Sequence, residues 1–138
     1  MKLKNTIFLT RTDPETKRVS GFIPALVELR RQPLYIENAY NLHKLSKQLD
    51  ERMKTFEAAR QGLLNKYGEK DKDGKFVQEN GNIKISNIQE FEKEFKILVE
   101  KEEDYDYEKQ KLIFDPAKKN LFISAQDLAL LEEIIEIK

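Results

Sequence analysis

The sequence of 138 residues contains no cysteine and only one histidine. The absence of cysteine excludes disulfide bonds, thiolate nucleophiles and cysteine-based zinc sites, and it agrees with a reducing compartment. The longest apolar runs, such as "IFL" and "LAL", have only a few residues, whereas a membrane-spanning helix needs about 20. We therefore expect no membrane association and no targeting segment.

Sequence motifs for catalysis are also missing. No G-x-S-x-G surrounds any serine, and there is no P-loop and no G-x-G-x-x-G. The single histidine, His43, stands beside Leu42 and Leu45, which favours a solvated or partner-facing imidazole over a catalytic base. We therefore predict that the protein is not an enzyme, with no catalytic residue and no cofactor.

Charged residues make up 36% of the chain, yet the formal net charge is zero. Residues 1–85 carry 17 Lys and Arg against 11 Asp and Glu, while residues 86–138 carry 8 against 14. Halves of opposite sign can attract one another within a fold or between protomers. The overall balance lacks the strongly basic character of a nucleic-acid-binding protein, so we do not expect nucleic acid as a partner.

The clearest helical pattern covers residues 34–67, which contain no proline and no glycine before Gly62 and are rich in helix-forming residues. Apolar residues recur every three or four positions, which predicts one apolar face on a long helix. We call this face the apolar stripe; its members are Leu42, Leu45, Leu49, Met53 and Phe56. At about 1.5 Å per residue the helix would extend about 45–50 Å, longer than a compact domain of this size usually spans. The stripe is therefore expected to pack partly against a second helix of the chain or against another copy.

The stretch "YGEKDKDGKFVQENGNIKI" at residues 67–85 begins like an EF-hand loop. Glu69, Asp71 and Asp73 occupy the first, third and fifth places of such a loop. The twelfth place, which should supply a bidentate carboxylate, is Asn80, and the residues around it are typical of a hairpin. We therefore predict two turns, at "DKDG" and at "ENGN", and no metal site.

The beginning of the chain predicts short elements. Residues 2–10 favour a short strand, and "RTDPETKRVSG" after them is typical of a solvated loop or hairpin tip. A brief helix is expected over residues 22–32, with Ser20 as its cap and Pro24 in its first turn.

A second helix is expected to start after the hairpin. Either Ser86 with Gln89 or Asn87 with Glu90 fits a capping box, and apolar residues spaced by three or four follow. This spacing suits a helix of about four turns that packs on the long one.

The end of the chain predicts a strand over residues 107–114, broken by Asp115-Pro116, and then a C-terminal helix capped by Ser124. The apolar face of that helix consists of Leu128, Leu131, Ile134 and Ile135. Together these elements predict a single α+β domain, residues 1–138, that is mainly helical. It has one long helix, a β-hairpin, a second packing helix and a C-terminal helix.

Three segments follow one another in a recognisable order. They are "PLYIENAYNLHKLSKQLDERMKTFEAARQGLLNKYGEKDKDGKFV", "FEKEFKILVEKEEDYD" and "ISAQDLALLEEII". Over about residues 33–135 this order resembles a group of small uncharacterised proteins encoded by tailed bacteriophages and prophages, and "RTDPETKRVSG" looks like an extension relative to that group. The resemblance implies a phage context, and it implies no activity and no catalytic residues.

We therefore expect a non-enzymatic phage interaction protein, a virion or assembly component located in the virion or the host cytoplasm. The expected partner is a protein, either another copy in a homo-oligomer or another phage protein. The apolar stripe would supply buried area, while Tyr105, Asp106 and Tyr107 within "KEEDYDYE" would supply a contact surface. Ordinary packing is the other role open to the two tyrosines. The alternative function is that of a small intracellular inhibitor of a host defence or replication protein.

Overall fold

The computed structural model describes residues 1–113 and 123–137 of the chain. In chain order the elements are β1 (Lys2–Lys4), a 3₁₀ helix (Asn5–Phe8), β2 (Thr10–Thr12), β3 (Val19–Gly21), α1 (Phe22–Arg30), α2 (Ile36–Tyr67), β4 (Gln78–Glu79), β5 (Asn82–Ile83), α3 (Ile88–Glu100), β6 (Glu102–Asp104), β7 (Gln110–Leu112), α4 (Ala125–Leu130) and β8 (Ile135–Ile137). The strands are arranged in the pairs β1–β6, β2–β3, β4–β5 and β7–β8. The predicted fold class, α+β and mainly helical, is confirmed.

The first hairpin, β2–β3, leads directly into α1, and Pro24 lies in the first turn of that helix as predicted. The predicted cap is wrong, because the residue before the helix is Gly21 and not Ser20. Gly21 has a φ of 151°, and a Cβ atom there would lie 2.8 Å from the carbonyl oxygen of Leu9. The close approach of the two hairpin strands therefore requires glycine at the start of α1.

The long helix and the second helix form as predicted. Helix α3 begins after Asn87, whose side chain accepts a hydrogen bond from the backbone N–H of Glu90 at 3.4 Å, so the second of the two capping alternatives is the one observed. Between α2 and α3, the rings of Tyr67 and Phe91 meet edge to face with centroids 6.1 Å apart. The stack continues to Phe95, 5.8 Å from Phe91. Aromatic packing of this kind holds the two helices together.

Both predicted turns between α2 and α3 are present. Asn80 and Gly81 have φ values of 54° and 81° between the paired strands β4 and β5, which is the conformation that an Asn-Gly hairpin favours. In the "DKDG" turn the carboxylate oxygen Oδ1 of Asp71 accepts hydrogen bonds from the backbone N–H groups of Asp73 at 2.9 Å and Lys75 at 3.0 Å. The acidic residue therefore closes the turn.

Basic residues of the first half of the chain pair with acidic residues of the second half within one chain. Strand β1 pairs antiparallel with β6, which places Lys2 opposite Asp104 and Lys4 opposite Glu102. Such cross-strand pairs of opposite charge stabilise a short ladder that has few hydrogen bonds of its own. Between the two lysines, Leu3 points inward and is 1% exposed. Residues 102–104 of the acidic run "KEEDYDYE" thus form a strand.

The end of the chain departs from the predicted helix. Helix α4 covers only Ala125–Leu130, and a turn then leads into β8, which pairs in parallel with β7. The predicted cap is confirmed, because the Ser124 hydroxyl accepts a hydrogen bond from the backbone N–H of Asp127 at 3.1 Å. The predicted strand at 107–114 is shorter than expected, and its predicted end at Asp115-Pro116 lies outside the described residues. Residues 134 and 135 are buried as predicted, but they do not lie on a helix face. Residue 134 is in the turn before β8, and residue 135 is in β8 itself.

One end of α2 is packed into the core and the other extends away from it. Leu49 and Phe56 are 1% and 3% exposed, whereas no residue in the range 57–98 is fully buried. We call residues 57–98 the arm. It consists of the second half of α2, the β4–β5 hairpin and most of α3, and its Phe95 and Leu98 are partly buried against the core.

Candidate interaction surfaces

The apolar stripe is part of the chain's own core. Leu42, Leu45, Leu49 and Phe56 are at most 3% exposed, and Met53 is half-buried against the same cluster. The ring of Phe56 lies 5.4 Å from that of Phe8, which comes from the turn after β1. The predicted helix face is therefore correct, and of the two kinds of packing left open for it, packing within the chain is the one observed.

The second predicted contact surface is also largely internal. Tyr105 and Tyr107 are 2% and 7% exposed, so of the two roles left open for them, ordinary packing is the one that the structure supports. The Tyr107 hydroxyl donates a hydrogen bond to the carbonyl oxygen of Ile134 at 2.8 Å. Residues 105–107 form a tight bend, in which the backbone N–H of Tyr107 donates a hydrogen bond to the carbonyl oxygen of Tyr105 at 2.9 Å. The bend turns both tyrosines inward and leaves Asp106 facing out.

Asp106 is itself attached to α2. Its backbone N–H donates to Oε1 of Gln48 at 2.8 Å, and Nε2 of Gln48 donates back to its carbonyl oxygen at 3.1 Å. Its carboxylate lies 3.8 Å from Nζ of Lys44. These two hydrogen bonds hold residues 105–107 against the long helix. The acidic segment is therefore packed on the chain's own fold.

The Tyr105 hydroxyl is buried and has no hydrogen-bond partner among the residues that the structure describes. Burial raises the pKa of Tyr105 from 10.0 to about 12, and the nearby Glu103 acts in the same direction while Arg52 opposes it. Arg52 and Glu103 form an ion pair with each other at 3.5 Å. Burial likewise raises the pKa of Tyr107. Both side chains are therefore neutral phenols at physiological pH.

An exposed apolar patch lies at the start of α2 and was not predicted. Tyr35, Ile36 and Tyr40 are 63%, 88% and 62% exposed, and we call these three residues the tyrosine patch. Ile36 and Tyr40 stand six and two residues before Leu42, which places them roughly 120° and 160° away from the apolar stripe at 3.6 residues per turn. Apolar residues off the stripe were the signal in the sequence that could have identified this patch.

A second exposed surface lies on the arm, between the end of α2 and α3. A shallow groove there is lined by Ala59, Leu63, Glu94, Ile97, Leu98 and Lys101. Ile97 projects from it and is 66% exposed. The carboxylate of Glu94 accepts a hydrogen bond from Lys66 at 3.1 Å, and hydrogen bonds from Tyr67 and Lys66 lower the pKa of Glu94. The groove is thus apolar in the middle and charged at its rim.

A cleft of mixed polar and apolar lining lies between α1, β3 and α4. Its volume is about 620 Å³, and Arg18, Glu28 and Asp127 contribute charged groups to it. The buried carboxylate of Asp127 is paired with Arg18 at 3.5 Å, and the neighbouring Ser124 hydroxyl caps α4. These groups are engaged in structural contacts. His43 lies elsewhere, on α2, where its Nδ1 is 3.1 Å from Nη2 of Arg30.

Comparison with models of protein families, with curated proteins and with solved structures finds no match. The resemblance to phage proteins therefore stays a prediction. Within residues 1–113 and 123–137, no helix has the length and apolar character to cross a membrane. The same described residues contain no group of three or more His, Asp and Glu side chains arranged to hold a metal ion.

Proposed function

We propose that this chain is a non-enzymatic phage protein, a virion or assembly component, that binds another protein through the tyrosine patch. The observation that carries the proposal is the exposure of Tyr35, Ile36 and Tyr40 side by side at the start of a rigid helix. Contact energies in protein complexes are concentrated in a few aromatic and large apolar side chains of this type.

The energetic argument concerns Ile36 first. A residue that is 88% exposed contributes almost nothing to the core, so its side chain is free to be buried by a partner. Full burial of such a side chain is worth about 1.5–3 kcal/mol. Tyr35 and Tyr40 add large rings that lose little conformational entropy when they are immobilised, and each has a hydroxyl group for the polar edge of a contact. Since α2 is anchored in the core by its stripe, little reorganisation would accompany binding.

The chemistry of the partner follows from the rest of the same helix face. One to three turns after Ile36, the exposed residues on this side are Tyr40, His43, Lys44 and Lys47. Nζ of Lys44 lies 5.9 Å from the centroid of the Tyr40 ring, so the positive charge adjoins the patch. We expect a protein surface with an apolar pocket for Ile36 and acidic groups beside it, because opposite potentials across an interface favour association.

The experiment compares virions of the encoding phage that carry different forms of the protein. The double variant Ile36→Asp/Tyr40→Ala should reduce the copy number per virion, measured by quantitative mass spectrometry against the major capsid protein. Loss of two anchoring side chains is expected to weaken binding on the order of 100-fold. An aspartate at the first position of a helix is favourable for the helix itself, so the fold should be retained. Circular dichroism of the purified variant checks this.

The matched control is Ile88→Asp. Ile88 is the first residue of α3 as Ile36 is of α2, and it is 58% exposed. The control should be incorporated at the wild-type copy number. Equal incorporation of the double variant and the control would contradict the assignment of the tyrosine patch. Absence of the wild-type protein from virions would contradict the structural role altogether.

A second candidate is the intracellular inhibitor of a host defence or replication protein. The observation in its favour is the burial of the apolar stripe within one chain, since this leaves the stripe no apolar area for assembly. The same tyrosine patch would then contact a host protein. Wild-type protein that is absent from virions but crosslinks in infected cells, through a photoreactive residue at position 40 and not at position 88, would support this candidate.

A further inference from the structure

The groove on the arm is a contact surface separate from the tyrosine patch. Its apolar floor is formed by Ala59 and Leu63 of α2 and by Leu98 of α3, and Ile97 stands at its edge with 66% of its area exposed. The arm has no fully buried residue that would stabilise it from within. A partner that covers the groove would therefore bury apolar area in a part of the fold that has no fully buried residue of its own.

Three groove residues of α3 and Lys101, the residue directly after its end, form one line along the helix axis. Glu94, Ile97, Leu98 and Lys101 are spaced by three, one and three positions, which places them on a single face. The line has an acidic residue at one end, a basic residue at the other, and two apolar residues between them. It is symmetrical in position about its centre, between Ile97 and Leu98, and opposite in charge at its two ends.

We propose that the groove binds the same groove of a second copy of the chain, with the two α3 helices antiparallel across a two-fold axis. In this arrangement the axis passes between Ile97 and Leu98. Ile97 of each copy enters the groove of the other, and Glu94 of each copy faces Lys101 of the other. A two-fold contact requires a self-complementary surface, and a line with opposite charges at equal distances from its centre satisfies that requirement.

The charged groups at the rim are able to form these contacts. Glu94 already accepts hydrogen bonds from Lys66 and Tyr67, but a carboxylate has about four acceptor positions and can bind a further ammonium group. Nζ of Lys101 lies 3.3 Å from Glu103, and its side chain is 64% exposed. Exposed ion pairs of this kind contribute little and are exchanged readily, so they do not oppose a new pairing across the axis.

The first test is the molar mass in solution, measured by light scattering over a range of concentrations. Wild-type protein should approach twice its mass of 16.3 kDa as the concentration rises, and Ile97→Asp should stay at 16.3 kDa. The matched control is again Ile88→Asp. Ile88 lies on the same helix nine residues before Ile97, about 180° away around the axis, so this variant should dimerise like the wild type.

The second test separates a contact between copies from a change within one copy. Glu94→Lys and Lys101→Glu should each dimerise more weakly alone than the wild type, because like charges then face one another across the axis. An equimolar mixture of these two variants should form a heterodimer, since both facing pairs regain opposite charges. Circular dichroism establishes that each variant is folded.

Three results would overturn the proposal. The first is a wild-type mass of 16.3 kDa at every concentration up to about 1 mM, which corresponds to a binding free energy weaker than about −4 kcal/mol. The second is a dimer that Ile97→Asp leaves intact, which would place the contact elsewhere. The third is a mixture of the two charge variants that stays monomeric, which would leave the groove for a different protein. None of these results bears on the tyrosine patch, which lies on the other half of α2.

Discussion

Replacing Tyr105 with phenylalanine is expected to stabilise the protein, while the same change at Tyr107 is expected to destabilise it. Both side chains are buried, at 2% and 7% exposure, so the two substitutions remove the same hydroxyl group from similar surroundings. They differ in hydrogen bonding. The Tyr107 hydroxyl donates to the carbonyl oxygen of Ile134 at 2.8 Å, whereas that of Tyr105 has no partner among the described residues.

The magnitudes follow from the cost of burying a polar group. An unpaired buried hydroxyl costs about 1–3 kcal/mol, so Tyr105→Phe should raise the free energy of unfolding by about 1 kcal/mol. Tyr107→Phe removes one hydrogen bond, and the carbonyl oxygen of Ile134 keeps a second donor, the backbone N–H of Gln110 at 3.0 Å. Because no buried acceptor is left unpaired, the loss should be about 1 kcal/mol and not more.

The assay is urea denaturation followed by circular dichroism, with thermal melting as a second measurement. For a domain of this size a change of 1 kcal/mol corresponds to a shift of about 3 °C in Tm. Tyr40→Phe is the control, because Tyr40 is 62% exposed and its hydroxyl reaches solvent, so this change should stay within about 0.5 kcal/mol. Equal destabilisation by Tyr105→Phe and Tyr107→Phe would refute the reasoning, since it would mean that the Tyr105 hydroxyl has a partner such as a buried water.

The same two tyrosines predict alkaline unfolding. Burial raises the pKa of Tyr105 from 10.0 to about 12, so the folded state holds its proton more tightly than the unfolded state does. The contribution of Tyr105 to the free energy of unfolding is therefore constant below pH 10, and it falls as the pH rises from about 10 to 12 because ionisation favours the unfolded state. The unfolding free energy of Tyr105→Phe should fall less steeply over that interval than that of the wild type. An identical slope for the two proteins would contradict the burial argument.

Three further changes test other parts of the fold. Leu49→Ala should lower the free energy of unfolding by about 3 kcal/mol in a urea titration, because Leu49 is 1% exposed in the core; an effect on association alone would contradict its place in the core. Tyr67→Phe should raise the pKa of Glu94 towards 4.5, since the hydrogen bond from Tyr67 is the main cause that lowers it; an NMR titration of the carboxylate measures this, and an unchanged midpoint would count against the bond. Gly68→Ala should destabilise the arm by about 1–3 kcal/mol, because a Cβ atom there would lie 2.5 Å from the carbonyl oxygen of Leu64; a melting curve like that of the wild type would show that the turn has room.

The sequence by itself determined the elements that depend on near neighbours. Helix α2 follows from its composition and its apolar period, and the turns at Asp71 and at Asn80-Gly81 follow from residues that adopt those conformations whatever surrounds them. The caps at Asn87 and Ser124 belong to the same group, since each bonds a backbone N–H group only three residues away. Interactions between residues that are close in sequence can therefore be predicted from the sequence alone.

Only the tertiary structure decided which surfaces are buried and which are exposed. The apolar stripe predicted a buried helix face, but its partner, the chain's own core, includes Leu3 from the start of the chain and Ile134 from near its end. Tyr105 and Tyr107 look like contact residues in an acidic run until Gln48 is seen to hold the segment inward. A pattern of apolar residues specifies that a face is covered, and it does not specify by what.

The end of the chain shows the same limit most clearly. The apolar period of residues 131–137 fits a helix as well as a strand. Residues 135–137 form β8 because they pair in parallel with β7, which lies 23 or more residues earlier in the sequence. Strand β6 likewise exists because β1 lies beside it, about a hundred residues away in the chain. Such pairings depend on backbone groups that meet only when the whole chain is folded, so no local pattern records them.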